Sequence, residues 1–141
     1  MDAAAMFEGF DPVRQAGYEQ ELVDRLGPQV VPHIDESRAR VARMTRDDVQ
    51  DVQRAFADVE QRLAQLMDEG ASPGDAPVQD VLVTHHATVA RFWTPDAESY
   101  AGLGDLYVDS PDFRSRYDSV RPGLAEFLRD AMTVFALDRL T

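Results

Sequence analysis

The sequence contains no cysteine, so disulfides, thiolate metal sites and sulfur nucleophiles are excluded. Covalent capture of an electrophile through sulfur is excluded for the same reason. The chain also has no apolar run close to the roughly 20 residues that a helix needs to span a bilayer. The Met1–Phe7 segment lacks the basic flank and apolar core of a signal peptide. We therefore expect a cytoplasmic protein that does not contact membranes.

Basic residues are scarce, since the chain has 14 arginines, no lysine and 26 acidic residues, for a formal net charge of -12. This charge repels phosphate backbones, so we predict that the domain makes no direct contact with nucleic acid. Hydrophobic residues make up 44% of the 141 residues, close to the average of globular proteins. The composition predicts one folded domain with one ordinary core.

Apolar residues recur at helical spacing through most of the chain. The clearest series follows a capping box at Thr45–Asp48 and predicts a helix ending at Gly70. A second helix is predicted from Pro77 to Thr94-Pro95, with His85 on its apolar face. The apolar face of the first of these helices comprises Val49, Val52, Phe56, Val59, Leu63 and Leu66.

Three further helix starts are marked by proline, at Thr94-Pro95, Ser110-Pro111 and Arg121-Pro122. The last of these helices has an apolar series that begins at Leu124, and Asp138 marks the position where the helix leaves the core. No window alternates apolar and polar residues, so no sheet is predicted. The expected fold is all-α, a single globin-like domain of about six or seven short helices that cross at steep angles.

The N-terminal part of the chain is the least self-sufficient. Its first predicted helix has only a narrow apolar stripe, formed by Tyr18, Leu22 and Leu26, and the segment after Pro32 is also poor in apolar residues. Short helices with so little apolar surface are marginal by themselves. We therefore divide the domain 1–141 into a stable core, residues 45–141, and residues 1–44, which depend on a partner or ligand.

Residues that carry chemistry are few. The sequence has no nucleophile elbow, phosphate-binding loop or dinucleotide fingerprint, so neither enzyme activity nor a cofactor is predicted. His85 and His86 are adjacent and point about 100° apart on a helix, so they cannot chelate one metal ion and no metal site is predicted. His85 is either a buried packing residue or a polar contact in a ligand cleft.

Aromatic residues crowd into one short region. Most of them are expected to pack in the core. Trp93 and Tyr100 flank the Thr94-Pro95 break, where a side chain is least constrained to face inward, so we expect these two to line a cleft. The crowded aromatic residues are Phe92, Trp93, Tyr100, Tyr107, Phe113 and Tyr117.

Several motifs in the chain, taken in order, resemble the TipAS-type antibiotic-recognition domain, the drug-sensing part of MerR-family activators. They are FEGFDP, MTRDDVQ, LAQLMDEG, HHATVARFW and, most strongly, GLGDLYVDSPDFRSRYDSVRPGLAEFLRDAM. The resemblance runs from about Phe7 to Leu140. His85 matches the helix histidine of the family, Phe92-Trp93 its aromatic pair, and residues 102–108 its glycine-rich signature.

The resemblance implies a globin-like domain whose cleft binds large, rigid peptide antibiotics, with residues 1–44 closing over the ligand as a lid. This chain departs from the family pattern where cysteines can occur near Pro95–Asp96 and Gly102, so any capture is non-covalent. Leu26-Gly27 also replaces the usual Trp-Gly. The ligand-binding residues expected on this basis are Tyr18, Phe56, His85, His86, Phe92, Trp93, Tyr100 and Tyr107.

Two classes of function remain open from the sequence. The first is non-covalent binding of a bulky, thiopeptide-like or other hydrophobic antibiotic, either in an effector domain of a MerR-type activator or in a stand-alone drug-sequestering protein. The second is a structural or protein-interaction domain that keeps the fold without a drug ligand. The winged helix and coiled coil that full-length regulators carry upstream are missing, so a homodimer is expected only through such an upstream region.

Overall fold

The computed structural model describes Gln20, residues 23–24 and residues 27–141. Within these ranges the chain forms helices and no strand, so the all-α prediction is confirmed. None of the described helices is both long and apolar enough to cross a membrane. A 3-10 turn at Pro28–Val30 precedes six α-helices: α1 (Val31–Arg43), α2 (Arg46–Asp68), α3 (Ala76–Val89), α4 (Ala97–Asp109), α5 (Pro111–Val120) and α6 (Leu124–Arg139).

The start of α2 confirms the predicted capping box. The Asp48 amide donates to Thr45 Oγ1 at 3.1 Å, and the Thr45 amide donates to Asp48 Oδ2 at 2.9 Å. These hydrogen bonds satisfy two amides that the first turn leaves unpaired, and the bond from the Thr45 amide lowers the pKa of Asp48. Gly70 follows the helix with a φ of 85°, the left-handed conformation that glycine adopts without strain.

Two predicted boundaries around α3 and α4 are wrong. Helix α3 ends at Val89 and does not reach Thr94, so Phe92 lies in a turn, where its amide donates to the Val89 carbonyl at 2.9 Å. Helix α4 is capped by Asp96, whose Oδ1 accepts from the Ser99 amide at 2.8 Å. The Thr94 hydroxyl does not cap this helix and donates instead to Glu36 Oε1 at 3.1 Å.

The predicted start of α5 at Ser110-Pro111 is confirmed, whereas α6 begins later than Arg121-Pro122 predicts. Gly123 adopts a φ of 89° and redirects the chain, so the first helical residue is Leu124. Asp138 is exposed, as predicted for the position where α6 leaves the core.

The core lies where α4 packs along α6 and α2 packs along α3. Gly104 permits the close approach of α4 to α6, since a Cβ atom there would lie 3.2 Å from the Arg129 Cα. The hydrophobic cluster of buried residues draws on α2 to α6 and on none of the described residues before position 45. The helices of the cluster thereby hold the second half of α3, which carries His85, between α2, α4 and α6.

Candidate functional site

His85 is the centre of an aromatic group formed by three helices. Its side chain lies on α3 and is only 1% exposed. The imidazole ring centroid is 5.9 Å from that of Phe56 on α2, 5.7 Å from that of Tyr100 and 6.2 Å from that of Tyr107, both on α4. Four of the residues expected to bind ligand are therefore in one cluster.

A short hydrogen bond joins His85 to Tyr100. The distance from His85 Nδ1 to Tyr100 Oη is 2.6 Å, and both groups are buried. Burial lowers the pKa of His85 to about 3 and raises the pKa of Tyr100 well above its ordinary value, so both rings are neutral near pH 7. Nε2 of His85 has no hydrogen-bond partner in the described part of the chain. The site thus holds one buried nitrogen that no described group satisfies.

His86 extends the cluster toward α6. Its ring centroid lies 5.2 Å from that of Tyr100 and 5.2 Å from that of Phe135. Burial also lowers the pKa of His86, and its Nε2, like that of His85, has no partner among the described residues. Although neighbouring side chains on a helix diverge, both histidines contact Tyr100, because its ring lies between them.

Phe92 and Trp93 lie in the turn after α3 and form the outer part of the group. The Phe92 ring stacks on Phe56, with centroids 6.5 Å apart and planes inclined by 14°. Trp93 is half-buried and packs against the hydrophobic cluster. Trp93 thus contacts the hydrophobic cluster and Phe92 contacts Phe56, and both side chains keep part of their surface accessible. The expected place of Trp93 in a ligand cleft stays a prediction.

The expectation for Tyr100 is wrong, since it is fully buried rather than turned away from the core. Its position on the first turn of α4 directs the ring between α3 and α6, where His85 binds its hydroxyl group. Tyr18, the remaining predicted site residue, lies outside the described residues. Direct contact of any of these side chains with a ligand stays a prediction.

A second polar cluster adjoins the site and was not predicted. The buried Glu60 carboxylate on α2 accepts a hydrogen bond from Arg116 on α5, with Oε1 and Nη2 3.1 Å apart. Tyr117 contacts Tyr107, with ring centroids 4.8 Å apart, and burial raises the pKa of Tyr107 to about 12. The only sequence signal for this cluster is that Glu60 directly follows Val59 on the apolar face of α2.

The described residues hold no group of three or more histidine, cysteine or acidic side chains placed to bind a metal ion. The rings of His85 and His86 make aromatic contacts, and both of them contact Tyr100. The chemistry that this arrangement offers is shape and hydrogen bonding: flat aromatic surfaces around two unpartnered imidazole nitrogens.

Replacing Tyr100 by Phe is expected to lower the free energy of unfolding by about 1–3 kcal/mol, because it leaves His85 Nδ1 buried without a partner. Urea unfolding monitored by circular dichroism measures this change. Tyr107→Phe is the comparison on the same helix: it breaks the hydrogen bond between Tyr107 and Tyr117 and leaves that of His85 Nδ1 intact, so it measures the cost of losing a different buried hydroxyl group. A Tyr100→Phe protein as stable as wild type would show that the short hydrogen bond contributes nothing.

Comparison with known proteins places this chain in a family. The model of the TipAS antibiotic-recognition domain matches residues 18–135. The chain is 36% identical over 141 residues to the HTH-type transcriptional regulator SkgA of Caulobacter vibrioides, covering 99% of this chain and 55% of that protein. It is 29% identical over 133 residues to the HTH-type transcriptional activator TipA of Streptomyces coelicolor, covering 94% and 51%. The chain spans about half the length of these curated relatives.

The fold matches a solved structure as well. TipAS in complex with nosiheptide, from a thiopeptide antibiotic multidrug resistance system of Streptomyces lividans, superposes with a TM-score of 0.79 at 28% sequence identity. The match covers 97% of this chain and 93% of that one. Since the family model covers most of the chain and the structural match covers nearly all of it, this protein belongs to the TipAS antibiotic-recognition domain family.

Proposed function

We propose that this domain binds a large peptide antibiotic of the thiopeptide class non-covalently, against the aromatic group around His85. The observation that carries the proposal is the match of nearly the whole chain to TipAS in complex with nosiheptide. The residues fit such a ligand, because rigid aromatic side chains bury the surface of flat heterocycles at little entropic cost. Without cysteine, the chain has no thiol to add to the drug.

We also propose that residues 1–44 form a lid on a core of residues 45–141. The support is that the buried hydrophobic cluster includes none of the described residues before position 45. Elements with few buried apolar contacts open at low free energy. A ligand that supplies apolar surface between lid and core therefore stabilises the closed arrangement more than the open one.

We propose two alternative roles for this domain. It is either the effector domain of a longer MerR-type transcriptional activator or a stand-alone drug-sequestering protein, in both cases in the cytoplasm. The names of the curated relatives, which are transcriptional regulators, support the first. The net charge of -12 supports a domain that senses ligand and leaves DNA contact to another part of the protein.

We propose a binding role without catalysis. The best-placed candidate for acid–base chemistry, His85, is fully buried, and burial holds its pKa near 3. An imidazole with so low a pKa is not in the imidazolium form at neutral pH and is a very weak base, so it is poorly matched to general acid or base catalysis there. His85 and Tyr100 are therefore better suited to holding the aromatic group together than to transferring a proton.

Trp93→Ala is expected to weaken nosiheptide binding by about 2 kcal/mol or more, the scale of an interface hot spot. The half-buried indole offers the largest aromatic surface at the outer part of the site. Isothermal titration calorimetry with nosiheptide measures the affinity. Phe127→Ala is the matched control, because Phe127 is also partly buried against the hydrophobic cluster but lies two turns of α6 away from Phe135.

The two variants separate binding from packing. Phe127→Ala should lower the melting temperature and leave the affinity unchanged. If Trp93→Ala instead bound nosiheptide as tightly as wild type while melting earlier, Trp93 would be a packing residue. If wild type bound no thiopeptide at all, the protein-interaction alternative would replace the proposed function.

A further inference from the structure

Arg40 on α1 reaches across to the turn that follows α3. Its Nη1 donates to the Ala90 carbonyl oxygen at 2.6 Å, and its Nη2 lies 3.4 Å from Thr94 Oγ1. Glu36, one helical turn earlier, completes the contact: its Oε1 is 2.8 Å from Arg40 Nη2 and accepts from Thr94 Oγ1 at 3.1 Å. We refer to Glu36, Arg40, Thr94 and the Ala90 carbonyl as the polar clamp.

The clamp holds both ends of the turn that carries two predicted ligand contacts. Ala90 and Thr94 lie on either side of Phe92 and Trp93. Ala90 is also the C-terminal cap of α3, where carbonyl groups lack intrahelical partners and the helix dipole is negative. A guanidinium at this point makes a charge-assisted hydrogen bond, which is stronger than a neutral one.

Buried apolar packing among the described residues contributes little to holding α1 against the core. None of its described residues belongs to the buried hydrophobic cluster, and the exposed fraction of Val31, at its start, is 42%. The Arg40 and Glu36 side chains are each 36% exposed, so water weakens the clamp without abolishing it. Contacts of this strength suit an element that docks reversibly.

We infer that Arg40 is a positioning residue that docks α1 beside the Phe92–Trp93 turn and thereby sets the affinity of the site for its ligand. Only the effect on ligand affinity rests on the proposed function; the docking of α1 does not. If ligand binds the docked arrangement, the apparent Kd rises in proportion as the docked fraction falls. Binding of ligand and docking of α1 then stabilise each other.

Hydrogen exchange of the full chain without ligand tests the docking step alone. In Arg40→Gln, the amides of α1 should exchange about tenfold faster than in wild type, while those of α2 are unchanged. Arg43→Gln is the matched control, since it removes the same charge from the same last turn of α1 and should exchange like wild type. Arg40→Lys should fall between the two, because an ammonium group cannot reproduce the fork of the guanidinium.

Titration with nosiheptide tests the coupling. Arg40→Gln should raise the Kd about two- to threefold, in inverse proportion to the docked fraction that remains, without lowering the melting temperature of the core. Arg43→Gln should leave the Kd unchanged. Equal α1 exchange in the two glutamine variants would overturn the docking role, whether or not nosiheptide binds. A Kd that stays at the wild-type value while exchange shows that the docked fraction has fallen by half or more would overturn the coupling. Failure of wild type to bind nosiheptide would refute the proposed ligand and leave the exchange result standing as the test of docking.

Discussion

Between pH 6.5 and pH 4 the domain should lose about 3 kcal/mol of its free energy of unfolding through His85 alone. Burial lowers the pKa of this side chain from 6.5 to about 3 in the folded protein. The unfolded chain therefore binds a proton that the folded chain rejects. The stabilisation is complete above pH 6.5 and falls by about 1.4 kcal/mol per pH unit as the pH drops toward 3. Urea unfolding at a series of pH values measures the loss.

The His85→Gln variant isolates this contribution from other titrating groups. Glutamine keeps a polar side chain near Tyr100 Oη and does not titrate, so the variant should lose less stability than wild type over the same pH range. His86→Gln is the comparison, because burial also lowers the pKa of His86 but its side chain is only half-buried. Equal pH dependence in wild type and His85→Gln would show that the folded protein protonates His85 easily.

The parts of the fold that the sequence predicts well are encoded in contiguous residues. The start of α2 depends on a hydroxyl group and a carboxylate three positions apart, Thr45 and Asp48, and its buried face on one continuous apolar series. Val49, Val52 and Leu63 from this series are all buried. Such features need no knowledge of the rest of the chain, because local propensity and tertiary packing favour the same structure.

The helix ends that the sequence misplaces depend on competition between neighbouring groups. Thr94 has the residue type and the following proline of a helix cap, yet its hydroxyl donates to Glu36, 58 positions away in the sequence. Asp96 then caps α4. No local pattern shows which of two candidate caps forms a hydrogen bond with a distant residue instead. The sequence therefore misplaces the break between α3 and α4.

The sequence predicts members of the aromatic group around His85 and not how they pack together. Family motifs indicate which aromatic residues belong to it, and the structure brings His85, Phe56 and Tyr107 together. The hydrogen bond between His85 and Tyr100 spans 15 positions, and the contact between Arg116 and Glu60 spans 56. Pairings across helices follow from how the helices pack, which periodicity within each helix does not determine.

Leu124→Ala should lower the free energy of unfolding by about 2–5 kcal/mol, the largest effect expected of any single substitution considered for this domain. Leu124 is 0% exposed at the first residue of α6, and Gly123 before it lies close to Met67 of α2. Truncation removes apolar contacts and leaves a cavity, because neighbours anchored in several helices cannot all move inward. Chemical denaturation, with the midpoint and slope fitted separately, measures the loss.

Leu137→Ala provides the matched control on the same helix. The exposed fraction of Leu137 is 64%, so the same chemical change should alter stability by no more than about 0.5 kcal/mol. Leu124→Ala should bind nosiheptide with wild-type affinity wherever it is folded, because Leu124 belongs to the packed core. If both variants lost the same free energy of unfolding, the start of α6 would not be part of the packed core. If folded Leu124→Ala bound nosiheptide more weakly, the site would extend beyond the aromatic group around His85.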